Sequence, residues 1–255
     1  MSYELFTRLH RQEKPLLLGN AWDVHSARFF ERAGYQAIGT SSAAIANALG
    51  YEDGEKISFD ELFFVVERIA RNISIPLSVD FERGYGATID ETLRHIDQLL
   101  SVGIVGINLE DSVRNGDSRG LDPVSVHADK IRAIKAHLAK TNRGLFINAR
   151  TDAYIVKNSQ PIETTLERIK AYEAAGADGI FVPFATEEKA IQMFTAATQL
   201  PVNVLNIPGI PSYARMAELG VKRVSMGASA FRATYRYLEN TIGEIRKDNE
   251  LSRLW

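Results

Sequence analysis

No cysteine occurs anywhere in the 255-residue chain. That excludes disulfides, thiolate nucleophiles and cysteine metal sites. A surplus of charge is missing too: 30 Lys and Arg face 32 Asp and Glu, for a net charge of −2. No basic stripe stands out, so nucleic acid is not an expected partner. No apolar run approaches the roughly 20 residues that a membrane span needs. The opening MSYELFTRLHRQEK is charged and lacks the apolar core of a signal peptide. The expectation is a cytoplasmic chain with no membrane partner. No Ser/Gly-rich linker divides it, so one domain over 1–255 is expected. The 45% hydrophobic and 24% charged content is that of an ordinary globular protein.

What is present is a repeat. AGYQAI (33–38), VGIVGI (102–107), AGADGI (175–180) and LGVKRV (219–224) share one form. A small or apolar residue precedes Gly, three residues follow, and then a β-branched residue begins an apolar run. Gly34, Gly103, Gly176 and Gly220 sit where a glycine ends a helix, and a buried strand starts just after. Eight strands are expected, at 15–22, 37–42, 76–82, 106–112, 145–152, 179–184, 202–207 and 223–228, with amphipathic segments between them. Eight alternating units over about 250 residues fit a (β/α)8 TIM-type barrel. An open doubly wound sheet is the alternative. YELFTRLHR, ahead of the first strand, is an extra helix suited to plugging the barrel bottom.

In such a barrel the strand C-termini build the site. SVDFERGYG (78–86) carries two carboxylates at its strand exit, Asp80 and Glu82, placed on one face by the alternation of a strand. The fourth strand ends in Glu110-Asp111, of which one faces the site. The fifth ends in NARTD, which puts Asn148, Arg150 and Asp152 on one face. The second ends in Thr40-Ser41-Ser42 and the first in Asn20-Ala-Trp22-Asp23, whereas the sixth ends in the apolar Pro183-Phe184. Grouped carboxylates are costly to bury without a cation. Asp80, Glu82 and one acid of the fourth strand therefore read as an oxygen cage for Mg²⁺ or Mn²⁺. Arg150 beside them would bind a substrate carboxylate.

Each acid alone reads more readily as a helix cap or a solvated loop residue than as a site; the constellation is what points to a site. His10, His25, His95, His127 and His137 all fall in helical segments and read as structural, and RFFER and FFVVER as helix faces packed on the barrel. Gly84 and Gly86 read as a turn or as room for a ligand. Two connections are long: AAIANALGYEDGEKI, with Asp53, and SVRNGDSRGLDP, with Arg114, Asn115, Gly116, Ser118, Arg119 and Gly120. The second is either a mobile lid or a surface connection.

From GNAWDVHSARFFERAG to MGASAFRA, with GTSSAAIA, LGYEDG, VDFERGYG, LEDS and NARTDAY in order between them, the chain resembles the isocitrate lyase / phosphoenolpyruvate mutase superfamily. The resemblance implies that Ser41, Ser42 and Ala43 hold a 2-oxo carboxylate, and that Asp53 and Arg150 are catalytic. It makes Asp80, Glu82 and Glu110 the metal-shell acids and Arg150 substrate-binding as well. Asp80 and Asn206 are further substrate-binding candidates. It implies an enolate held on Mg²⁺, and a homotetramer in which the last helix, FRATYRYLENTI, is swapped between subunits.

The chain departs from the family's best-known members. Where isocitrate and methylisocitrate lyases carry a KKCGH-type loop, it reads SVRNGDSRG, without Cys, Lys or His. Gly39 and Pro183 stand where the mutase has Trp and His, and Phe184 where the lyases have Glu. The expected function is a Mg²⁺-dependent carbon–carbon lyase on a small 2-oxo or 2-hydroxy dicarboxylate, such as oxaloacetate. The alternatives are a carbon–phosphorus enzyme and a non-catalytic 2-oxo acid binding protein.

Overall fold

The glycine repeat does what its spacing implies. Gly34, Gly103, Gly176 and Gly220 all have φ between +83° and +96°. The N–H after each one reaches back to close the preceding helix, as Tyr35 N–H does to Phe30 O and Val221 N–H to Met216 O. The structure, a computed structural model, describes residues 2–115, 118–156 and 158–254.

Helix α1 (Tyr3–Leu9) comes first, then β1 (Leu16–Ala21), α2 (Val24–Arg32), β2 (Ile38–Thr40), α3 (Ser42–Ala48), α4 (Phe59–Ala70), β3 (Leu77–Asp80), α5 (Ile89–Ser101) and β4 (Gly106–Glu110). A hairpin of β5 (Ser112–Asn115) and β6 (Ser118–Leu121) follows, then α6 (Val124–Thr141), β7 (Phe146–Arg150), α7 (Pro161–Ala174) and β8 (Gly179–Val182). The chain continues with α8 (Glu188–Ala196), β9 (Val202–Leu205), α9 (Tyr213–Glu218), β10 (Arg223–Ser225) and α10 (Ser229–Asp248). Eight parallel strands close on themselves, because β10 pairs back onto β1 with Leu16 opposite Arg223. That closure rules out the open sheet. Each expected strand lies on an observed one.

Two connections differ from the sequence reading. The segment after β2 is not a plain loop: α3 starts at once, since Ser41 caps an Ala-rich run and its Oγ accepts the Ala44 N–H. Within SVRNGDSRGLDP, Ser112–Asn115 and Ser118–Leu121 pair antiparallel as β5 and β6. Gly116 and the side chains of Arg114 and Asn115 lie outside the described residues.

Helix α1 closes the N-terminal end of the barrel. Phe6 is fully buried against Phe146, ring to ring at 5.5 Å, in a cluster with Leu16, Leu18 and Val105. Between the strands and the outer helices runs the main apolar core, including Leu62, Val66, Ile96, Ile131 and Ile169. Not every aromatic packs there: Phe29 and Phe64 are exposed, each beneath an arginine one turn on. Helix α10 leaves the barrel, and Thr241 is its one buried residue. None of the described helices is long and apolar enough to cross a membrane.

Candidate active site

Asp80 ends β3 with its carboxylate held on both sides. Oδ2 accepts the Ser42 N–H at 3.2 Å and the Ser42 hydroxyl at 2.8 Å. Oδ1 accepts the Asn108 amide at 3.2 Å, and the Asp80 N–H donates to Thr40 Oγ1 at 2.9 Å. Three strands and the start of α3 thus converge on one side chain. Asp53 approaches from the segment after α3, 3.4 Å from Ser42 Oγ. Ala43 stands beside them, and its N–H has no acceptor among the described residues.

These residues line a cavity of about 210 Å³ at the C-terminal end of the barrel, with Ser41 and Arg150 in its wall. Of the residues expected from sequence, Ser41, Ser42, Ala43, Asp53, Asp80 and Arg150 meet here. Glu82 and Glu110 line an adjoining cavity of about 260 Å³, with Arg119 between the two. Asn206 is not in either wall: it is exposed, and its N–H closes onto Ser225 O. Strand β9 ends one residue earlier, so the alternation no longer governs where Asn206 lies.

The same break explains Glu82. Strand β3 ends at Asp80 and Glu82 takes φ +45°, so the two acids do not share one strand face as the alternation suggested. Glu82 is buried, accepting the Glu55 N–H at 2.6 Å and the Tyr85 hydroxyl at 2.5 Å. Burial pushes its carboxyl up to about 9; the Tyr85 bond works against this, and the charges of Asp53, Glu110 and Asp80 add to it. Glu55 in turn accepts the N–H groups of Arg83 and Tyr85, both at 2.9 Å, and so ties the segment before α4 to the exit of β3. Gly84 and Gly86 serve packing rather than ligand access. A Cβ at Gly84 would come within 2.8 Å of the Thr92 side chain, and one at Gly86 within 2.7 Å of the Thr92 backbone.

The choice between Glu110 and Asp111 falls to Glu110. Asp111 turns away into a buried cluster, accepting from Arg168 at 2.8 Å and from Tyr172 at 2.7 Å. Glu110 belongs to a four-charge network. Arg150 reaches Glu110 Oε2 at 2.8 Å and Asp152 Oδ1 at 2.6 Å; Arg119 reaches Glu110 Oε1 at 2.9 Å and Asp152 Oδ2 at 2.8 Å. Burial raises the Glu110 carboxyl, and Arg150 pulls against that rise. The Arg150 guanidinium is held well above its ordinary value by Asp152 and Glu110, which outweigh its burial. The hairpin is therefore docked on the site through Arg119, and Arg150 is fixed in place rather than free.

No three acids or histidines converge as direct ligands among the described residues, so the three-carboxylate cage does not form as such. Glu110 already has two arginine partners. The donor set still suits a hard cation. Glu82 has no basic partner among the described ion pairs, and it is pushed up first by burial and then by three neighbouring acids. A small divalent ion that keeps most of its waters needs one carboxylate directly and others through water.

Sequence reasoning missed Arg232. It lies in the first turn of α10 and lines the 210 Å³ cavity, and its guanidinium has no ion pair or hydrogen bond among the described residues. Asn20 holds that turn in place: its Oδ1 accepts both the Met226 N–H (2.8 Å) and the Gly227 N–H (2.9 Å). Trp22 meets Phe231 edge-on at 5.3 Å. The available signal was that a helix leaving a barrel strand starts at the site's rim.

The chain matches the family model for phosphoenolpyruvate phosphomutase over residues 6–246. It is 32% identical to 2-methylisocitrate lyase of Escherichia coli, over 93% of this chain and 82% of that protein. It is 28% identical to oxaloacetate decarboxylase of Paraburkholderia xenovorans, over 92% of this chain and 79% of the other. Among solved structures, a Burkholderia cenocepacia protein provisionally described as a phosphonomutase superposes with a TM-score of 0.88. It is 37% identical and covers 94% of this chain and 98% of that one.

Proposed function

Because the chain belongs to the isocitrate lyase / phosphoenolpyruvate mutase superfamily, whose named members are lyases and mutases, we propose that it cleaves a carbon–carbon bond of a small 2-oxo or 2-hydroxy dicarboxylic acid through a pyruvate-type enolate. The observation that carries this reading is the pairing of an unengaged Arg232 with Asp80, Ser42 and Ala43 across a cavity of only about 210 Å³. That space suits a small acid, and the free guanidinium supplies a place for its second carboxylate.

In this reading Asp80, Glu82 and Glu110 are the acids that would hold Mg²⁺ or Mn²⁺. When bound, the ion supplies Lewis acidity toward the oxo oxygen. The protein's own groups do the rest. Ala43 N–H and Arg150 hold the oxo-acid end, and Arg232 the distal carboxylate. The Glu110–Arg150–Asp152–Arg119 network fixes the guanidinium, so no reorganisation is needed as charge develops. When the bond breaks, its electron pair stays on the pyruvate fragment as an enolate. Asp53, close to Ser42 Oγ, is placed to take or return a proton. The hairpin, docked through Arg119, excludes water.

The reading includes a cytoplasmic homotetramer with α10 swapped between subunits. Tyr235, Tyr237, Leu238 and Ile242 on that helix are all exposed in the single chain, which supports a covered role for it. A carbon–phosphorus reading draws support from the 37% identical phosphonomutase-like structure, but Gly39 and Pro183 supply none of the mutase side chains expected there.

Pyruvate release from oxaloacetate with Mg²⁺, corrected for the metal-only rate, tests the proposal. Saturable release that disappears in Asp80→Ala supports it. Activity of the wild type on phosphonopyruvate alone would move the chemistry to phosphorus.

A further inference from the structure

The barrel interior beneath Asp80 contains an arginine that its surroundings do not explain. Arg223, on β10, is 1% exposed. Its Nη2 donates to Asn108 Oδ1 at 3.1 Å; Nε and Nη1 have no acceptor among the described residues. Burial pushes the guanidinium down to about 9, with Asp80 the charge that opposes the shift. An isolated cation in such a place costs stability, and an apolar side chain of similar size would cost less.

Its contact accounts for it. Arginine is donor-only, so the atom of Asn108 that faces it must be the amide oxygen. Asn148 Nδ2 donates to the same oxygen at 2.9 Å. With Oδ1 fixed twice, the Asn108 amide can only turn its NH₂ upward, to Asp80 Oδ1. A direct arginine–carboxylate pair, as at Glu110, would fill the lone pairs of the acid. The intervening amide steers Asp80 with a single bond to Oδ1, while Ser42 holds Oδ2.

We propose that Arg223 is a positioning residue: acting through Asn108, it sets the orientation of the Asp80 carboxylate toward the cavity. This rests on the reading of Asp80 as the central acid of the site.

The test compares full-length wild type, Arg223→Met, Arg223→Lys and Asn108→Ser. Three quantities are read: Mn²⁺ affinity by calorimetry, the melting temperature, and the Asp80 side chain in crystal structures. The expected result for Arg223→Met is a melting temperature at or above wild type, Mn²⁺ binding weaker by about tenfold, and an Asp80 carboxylate turned off Asn108. Arg223→Lys keeps a charged donor and restores binding. Wild-type Mn²⁺ affinity in a folded Arg223→Met overturns the proposal, as does a lowered melting temperature with the Asp80 geometry unchanged. If Arg223→Met does not fold, Asn108→Ser decides by the same affinity, since it leaves the guanidinium in place. If the wild type binds no Mn²⁺, the metal reading of the site falls, and the Asp80 geometry in the variants alone decides the positioning role.

Discussion

The Glu55 N–H donates to Glu82 Oε2 at 2.6 Å, while Glu55 Oε1 takes the N–H groups of Arg83 and Tyr85. Two acids from distant segments thus clasp each other through backbone amides, with Tyr85 completing the clasp at Glu82 Oε1. Glu55, Glu82 and Tyr85 all have positive φ, a strained arrangement that these bonds hold. Tyr85→Phe removes one donor and leaves a buried acceptor open. The expected cost is about 2 kcal/mol in urea unfolding, with a fall in kcat as the exit of β3 loosens. Unchanged stability and kcat would show that the clasp contributes nothing.

Arg232 makes a prediction separable by substrate. Arg232→Gln should raise KM for oxaloacetate about 10- to 100-fold, the value of one charge-assisted contact, with a smaller change in kcat. Binding of a 2-oxo monocarboxylate, measured by competition, should hardly move. Equal losses for both acids would place Arg232 outside substrate recognition.

The barrel was legible because it is built from local, repeated signals. The glycine that ends each helix and the apolar run after it need no tertiary knowledge. Asp80, Ser41, Ser42 and Arg150 were legible for the same reason, since strand ends can be read from sequence, whereas Ala43 and Asp53 came from the family resemblance. Legibility failed where the chain left the strand. The alternation rule put Asp80 and Glu82 on one face, but β3 stops at Asp80 and Glu82 adopts φ +45°. Asn206 failed in the same way past the end of β9. Arg232 was hidden because SAFRA reads as ordinary helix, and its place depends on Asn20, more than 200 residues away, gripping Met226 and Gly227. Arg119 was named on its loop, but only the folded hairpin shows which acids it meets.

Asp111 shows what the other half of the Glu110-Asp111 pair is for. Arg168 and Tyr172 from α7 converge on it in the buried layer between barrel and helix. Arg168→Met leaves that carboxylate without its cation. The expected loss is about 3–5 kcal/mol of unfolding free energy, with KM for substrate unchanged in whatever fraction stays folded. A loss under about 1 kcal/mol would mean that Tyr172 and the Asp152 N–H, which donates to Asp111 Oδ1 at 2.9 Å, suffice.

Two buried histidines weaken the fold on the acid side. His10, stacked on Phe146, and His127, beneath Tyr172, are buried, and burial pushes both down to about 3. Unfolded, each titrates near 6.5. The folded value is the lower one, so the unfolded chain binds protons first as pH falls. The contribution of the two histidines is complete above about pH 6.5 and declines between there and about pH 3. At pH 5 each histidine should cost about 2 kcal/mol relative to neutral pH. His10→Gln, although less stable at pH 7.5, should lose less between pH 7.5 and 5 than the wild type, by about that amount. Urea unfolding at the two pH values measures it. Parallel losses in variant and wild type would mean that His10 takes up its proton within the folded barrel.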